Sequence, residues 1–152
     1  MRTLLLLAFV VILAVANIHG ADNYDIEVLT SETATGTPPF SITRIEEQRG
    51  ELRLYIHSDG TFNIAQIQKL LIDGTLSAQF SDGDNAMTVP LSLSKTVICE
   101  TGEIHHLGYS ASMPNCMISQ TLYYLRAPVT LAAGQGLAVG LEPDFIWAIE
   151  RK

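Results

Sequence analysis

The chain is short of basic residues, with nine lysines and arginines against 16 aspartates and glutamates and a formal net charge of −7. The basic residues are scattered along the sequence without a local cluster. An acidic protein of this kind is repelled by phosphate backbones and by anionic lipid surfaces. We therefore predict that the protein binds no nucleic acid.

After its N-terminus the sequence has no apolar stretch of the roughly 20 residues that a membrane-spanning helix needs. The first twenty residues differ: Arg2 precedes an unbroken apolar run from Leu4 to Val15, and small residues follow. This pattern is typical of a signal peptide, cleaved after Ala16 or near Gly20, although a retained anchor is the alternative. We predict a signal peptide over 1–20, a single domain over 21–152, no transmembrane segment in the mature form, and export to the extracellular space or the periplasm.

Only two cysteines occur, Cys99 and Cys116. Behind a signal peptide they indicate an oxidising compartment and a disulfide bond between them. The ring that this bond closes corresponds to about 3 kcal/mol of stability in the chain-entropy account. Two free thiols or a metal site are the alternatives. The sequence has no C-x-x-C motif, so a catalytic redox pair is not predicted.

The runs between turn residues are short and rich in Val, Ile, Leu, Thr and Tyr, which favours many strands. The clearest is Glu51–His57, where Leu52, Leu54 and Ile56 face one way and Arg53, Tyr55 and His57 face the other. Cys116–Arg126 is apolar on both faces, which indicates a central strand. Glycine-containing turns at 48–50 and 134–136 indicate hairpins. We predict an all-β antiparallel sandwich of roughly eight to ten strands.

The segment from Thr61 to Ile72 is ambiguous. Asn63 with Gln66 resembles a helical capping box. Asp73-Gly74 between apolar flanks instead favours a tight hairpin turn. We favour strands here, with a short helical turn near 63–66.

Two histidines and two methionines lie in or beside the predicted disulfide ring: His105, His106, Met113 and Met117. Imidazole and thioether ligands together suit copper, especially Cu(I). In a regular strand adjacent residues point to opposite faces, so the two imidazoles share an ion only from irregular backbone. The simpler interpretation is a polar loop with exposed histidines and methionines that fill gaps.

The aromatic residues Tyr109, Tyr123 and Trp147 are candidates for an exposed ligand-binding platform, because aromatic rings stack on sugars and anchor protein partners. The alternative is that Trp147 caps the core. We find neither a G-x-S-x-G motif nor a dense cluster of catalytic residue types.

These observations predict a non-catalytic secreted module that recognises or scaffolds a carbohydrate or protein ligand. A copper-binding protein that uses the ringed loop is the alternative, and a small secreted hydrolase is the second alternative.

Overall fold

The computed structural model describes residues 12–18, 23–58 and 63–152. These ranges contain one helix, α1 (Ile64–Asp73), and eleven strands. The strands are β1 (Ile12–Ile18), β2 (Tyr24–Ser31), β3 (Phe40–Gln48), β4 (Glu51–Ser58), β5 (Leu76–Asp82), β6 (Asn85–Val89), β7 (Ser92–Cys99), β8 (Ile104–Gly108), β9 (Ile118–Ala127), β10 (Gln135–Leu141) and β11 (Phe145–Arg151).

The strands form two antiparallel sheets that enclose one core, which confirms the predicted all-β sandwich. The first sheet has six strands in the order β1-β2-β11-β10-β5-β6, and the second has five in the order β3-β4-β9-β7-β8. Ten of the strands lie in the predicted domain over 21–152, five in each sheet. The strand that is apolar on both faces, β9, lies at the centre of the five-stranded sheet, as predicted.

The remaining strand, β1, lies inside the segment that the sequence predicts as a signal peptide. It pairs antiparallel with β2 at the edge of the six-stranded sheet. We predicted no strand in this segment, and cleavage of residues 1–20 stays a prediction. The helix found in the described ranges has ten residues, and no helix there is long and apolar enough to cross a bilayer.

The core is centred on the single tryptophan. Trp147 on β11 is completely buried, and its ring stacks on that of Phe40 from β3, with centroids 4.4 Å apart and planes 10° apart. Leu54 and Leu125 from the five-stranded sheet are also fully buried in this cluster. Since Trp147 and Phe40 come from different sheets, their contact joins the two layers directly.

The predicted disulfide is confirmed. Cys99 at the end of β7 is bonded to Cys116 in the loop before β9, with Cα atoms 5.5 Å apart. The ring that they close contains β8. The bond therefore fixes the edge of the five-stranded sheet on which the two predicted histidine ligands lie.

The preference for strands over 61–72 is wrong, because the helical capping signal prevails. The backbone N–H of Gln66 donates to Asn63 Oδ1 at 3.0 Å, and the backbone N–H of Asn63 donates to Gln66 Oε1 at 2.7 Å. The helix buries Ile67 and ends at Asp73, and it is followed by Gly74, whose φ of 77° is left-handed. Gly74 is therefore a helix C-cap instead of a hairpin turn. Residues 59–62 lie outside the described ranges.

Two turn predictions have different outcomes. The β3–β4 hairpin is confirmed, with Arg49 and Gly50 both at positive φ, as a two-residue type I′ turn requires. The hairpin predicted around Gly134-Gln135-Gly136 is wrong. Residues 129–131 form no strand, and β10 pairs with β5 and β11 instead.

A polar contact closes the sandwich at one edge. The Tyr24 hydroxyl on β2 donates to the Glu47 carboxylate on β3 at 2.5 Å, and Arg151 Nη1 on β11 donates to the same carboxylate at 2.7 Å. The pKa of Tyr24 is raised to about 12. Burial is the largest cause, and the hydrogen bond to Glu47 and the negative charge of Glu47 add to it. The contact joins the two sheets independently of the apolar core.

Candidate outer-face recognition site

The candidate site begins with the alternation of β4. Leu52 and Leu54 point into the core, so Arg53 and Tyr55 between them point to the outer face of the five-stranded sheet. Polar residues on the solvent side of an antiparallel sheet are normally exposed. Arg53 and Tyr55 are nevertheless 7% and 4% exposed. Neighbouring side chains must therefore cover them.

A chain of hydrogen bonds runs across this outer face. The Tyr55 hydroxyl lies 3.0 Å from Thr96 Oγ1 on β7. Thr96 Oγ1 lies 2.9 Å from His106 Nδ1 on β8, and His106 Nε2 lies 3.2 Å from Arg53 Nη1 back on β4. The chain therefore links β4, β7 and β8 through side chains.

The arginine sets the direction of these hydrogen bonds. A guanidinium group only donates, so His106 Nε2 accepts and the ring proton lies on Nδ1, which donates to Thr96. The pKa of His106 is lowered below its ordinary value of 6.5. Partial burial is the largest cause, and the positive charge of Arg53 is the second. Both arguments indicate a neutral imidazole at pH 7.

A second branch of the network contains Glu51. Its two carboxylate oxygens accept hydrogen bonds from Nε of Arg53 at 3.3 Å and from Nε of Arg126. Burial alone would raise the pKa of Glu51, but Arg126 and Arg53 together outweigh it and lower the pKa below its ordinary value of 4.5. Glu51 is therefore ionised and holds two guanidinium groups in fixed positions.

Aromatic rings form the base of the site. The guanidinium carbon of Arg44 lies 4.2 Å from the ring centroid of Tyr55, and that of Arg53 lies 5.5 Å from the ring centroid of Tyr124. The two tyrosine rings are 5.1 Å apart. Burial raises the pKa of Tyr124. The arginines cover the tyrosines, which explains why both rings are buried on an outer face.

These groups surround a cavity of about 360 Å³, which we call the outer-face pocket. Of the chain's six arginines, four lie on this face or at its rim. The fold thus brings together basic residues that are scattered in the sequence, and it makes a positive site in an acidic protein. The pocket is lined by Arg49, Glu51, Arg53, Ser94, His106, Leu107, Gly108, Tyr124 and Arg126.

The structure does not bring the predicted copper ligands together. His105 and His106 are adjacent in the regular strand β8, where they pair with Val97 and Thr96 and point to opposite faces. His105 contacts Glu103 at 3.1 Å, whereas His106 belongs to the outer-face network. This arrangement does not favour an ion shared by the two imidazoles, and copper binding stays a prediction. Met113 is half-buried, and Met117 is 72% exposed.

One group of metal-ligand types does converge among the described residues. The ligand atoms of Cys99, Glu103 and His105 lie within 4.8 Å of one another. The Cys99 sulfur is bonded to Cys116, however, and a disulfide sulfur is not a thiolate ligand. The oxidised protein therefore offers two ligands at this position.

The predicted aromatic platform is divided by the structure. The rings of Tyr109 and Tyr123 lie 6.3 Å apart. Tyr109 also lines a second cavity of about 450 Å³, between α1 and the start of β7. Trp147 is fully buried under Phe40, so its place in a surface platform is wrong. The second cavity contains no charged side chain.

The sequence predicted one residue of the outer-face pocket as a site residue, His106, in a different role. The arginines and Glu51 were missed because they come from separate strands and meet only in the folded sheet. Comparisons with protein-family models, with curated proteins and with solved structures gave no match to this chain. The interpretation of the pocket therefore depends on its geometry and chemistry.

Proposed function

We propose that the protein is a secreted, non-catalytic recognition module that binds a carbohydrate or protein ligand in the outer-face pocket. The observation that carries the proposal is the preorganised network around it: Glu51 holds Arg53 and Arg126 in fixed positions. Specific ligand sites combine a concave surface with a few fixed polar groups. A cavity of about 360 Å³ has the size of a small binding site.

The same network argues against catalysis. A hydrolase base must take a proton from its nucleophile, but His106 Nδ1 already carries the proton that it donates to Thr96. In a catalytic triad the other ring nitrogen faces a carboxylate that stabilises the imidazolium. Here it faces Arg53, whose charge opposes protonation. Thr96 is also 4% exposed, so a substrate does not reach its hydroxyl.

Copper binding is the weaker alternative, because His105 and His106 lie on opposite faces. Titration with Cu(I) and Cu(II) of the wild type and of the double variant His105→Ala, His106→Ala tests it. We expect equal, weak uptake by both proteins. Stoichiometric uptake that the double variant loses would favour the copper function over ours.

The recognition function is tested by amide chemical-shift mapping with a panel of neutral sugars, sugar acids and N-acetyl amino-acid amides. We expect at least one probe at millimolar concentration to shift signals around Glu51, His106 and Tyr124. Shifts that occur only around Tyr109, or no shifts at all, would contradict the proposed site. Hydrolysis of p-nitrophenyl acetate that His106→Ala abolishes would contradict the non-catalytic function.

A further inference from the structure

We infer that the ligand of the outer-face pocket is a sugar acid, a saccharide unit that carries one carboxylate. The inference rests on the proposed recognition function and specifies the chemistry that this pocket would recognise. It is carried by the unused donor groups of two arginines and by the polar lining that surrounds them.

The first step concerns which donors Glu51 leaves free. Glu51 accepts from Nε of both Arg53 and Arg126. A guanidinium group also presents a second edge, formed by its two Nη atoms. Within the described residues, no hydrogen-bond partner is found for the Nη atoms of Arg126 or for any side-chain nitrogen of Arg49. Arg126 is 52% exposed in its side chain, so its free edge is accessible to a ligand.

The second step concerns charge. Three guanidinium groups line the pocket against the Glu51 carboxylate, at the rim Arg44 is paired with Glu46 at 3.4 Å, and His106 is neutral. The pocket therefore has positive charge that its own residues do not balance. A carboxylate matches the free edge of Arg126 with two parallel hydrogen bonds.

The third step limits the number of charges on the ligand. The whole chain has a formal net charge of −7, so a polyanion is repelled at a distance. This repulsion acts on every charge of a long anionic chain. Salt screens charges that lie more than about 8–10 Å away. A single carboxylate in the pocket therefore interacts mainly with the nearby arginines. The balance favours a ligand with one acidic group at the site.

The fourth step distinguishes a sugar acid from an acidic peptide side chain. Beyond the arginines, the pocket is lined by two residues that carry a hydroxyl group, Ser94 and Tyr124, and by Glu51, and Leu107 is its one aliphatic residue. An aspartate or glutamate side chain brings methylene groups and no hydroxyl. A sugar acid brings hydroxyl groups that can donate to the Glu51 carboxylate and that suit a mostly polar lining.

The test compares sodium glucuronate with glucuronamide, its neutral amide, by amide chemical-shift titration of the full chain. We expect glucuronate to bind about tenfold more tightly or better, because charge-assisted hydrogen bonds are the stronger ones and 1.4 kcal/mol corresponds to tenfold. Arg126→Gln should weaken glucuronate binding by a similar factor and leave glucuronamide unaffected. Arg49→Asn should act in the same direction.

The matched control is Lys69→Gln, which removes one positive charge from an exposed position on α1 outside the pocket. It should leave both affinities unchanged. Equal binding of glucuronate and glucuronamide in the pocket would overturn the inference and leave the recognition function standing. Tighter binding of N-acetylglutamate amide than of glucuronate would overturn it in favour of a peptide ligand. Absence of shifts in the pocket with every probe would overturn both.

Discussion

Replacing Arg53 by alanine is predicted to destabilise the protein more than replacing Arg126, although both arginines donate to the same carboxylate. The side chain of Arg53 is 9% exposed and that of Arg126 is 52% exposed. Arg126 therefore forms a surface ion pair, which typically contributes about 0–1 kcal/mol. Arg53 is buried under its neighbours, and its loss affects more than one partner.

Two acceptors lose their donor when Arg53 is removed: Glu51 Oε1 and His106 Nε2. An unsatisfied buried acceptor costs about 1–3 kcal/mol. Glu51 keeps its hydrogen bond from Arg126, and water reaches His106, so both costs fall at the low end. Loss of the guanidinium over the Tyr124 ring adds a smaller amount. We expect Arg53→Ala to lower the free energy of unfolding by about 2–3 kcal/mol, and Arg126→Ala to lower it by at most about 1 kcal/mol.

The assay is urea unfolding at pH 7, followed by the fluorescence of the single, buried Trp147. Lys69→Ala serves as the control for loss of an exposed positive charge, with an expected change within about 0.5 kcal/mol. Equal costs for Arg53→Ala and Arg126→Ala, or a larger cost for Arg126→Ala, would refute the claim that Arg53 is the buried centre of the network.

Four further predictions concern stability and are measured by the same unfolding assay. The free energy of unfolding should be about 3 kcal/mol lower in the double variant Cys99→Ala, Cys116→Ala, and reduction should lower that of the wild type by the same amount. A change below about 1 kcal/mol would contradict this prediction. Trp147→Ala should lower the free energy of unfolding by about 3–5 kcal/mol, measured by circular dichroism, because it leaves a cavity between the sheets. A near-neutral result would show that Trp147 does not join the two sheets. Asn63→Ala should lose about 1 kcal/mol by removing the helix N-cap; an unchanged midpoint would mean that the cap does not stabilise α1. The pKa of Glu51 is lower in the folded protein, so the unfolded chain takes up the proton first and stability should fall as pH drops below about 4.5; a Glu51→Gln variant with the same acid dependence as the wild type would exclude Glu51 as the cause.

The sequence was sufficient for those parts of the fold that depend on local pattern. Alternation in Glu51–His57 predicted which residues of β4 face the core, and the two cysteines predicted the disulfide. The length and apolar character of the 116–126 segment predicted a central strand. In each case the deciding signal lies within one continuous stretch of chain.

The helix was misjudged because two local signals competed over the same residues. Asp73-Gly74 has the composition of a hairpin turn, and it also has the composition of a helix C-cap. The capping box between Asn63 and Gln66 was present in the sequence and decides the structure. The burial of Ile67 against the core depends on tertiary packing and is not visible in the local sequence.

The candidate site was missed for a different reason. Arg53 was correctly assigned to the polar face of its strand, but a polar face predicts solvent exposure. Its burial results from β7, β8 and β9, which bring His106, Tyr124 and Arg126 to the same side of the sheet. The relevant register is set by pairing between strands that are up to 75 residues apart. No pattern within one segment of the chain contains that information.

The most direct test of the proposed recognition site is a crystal structure of the protein grown with sodium glucuronate. We predict that the sugar carboxylate lies across the two Nη atoms of Arg126, with Glu51 still bound to Nε of Arg126 and Arg53. Glucuronate bound in the cavity beside Tyr109, with the outer-face pocket empty at saturating ligand, would contradict the account.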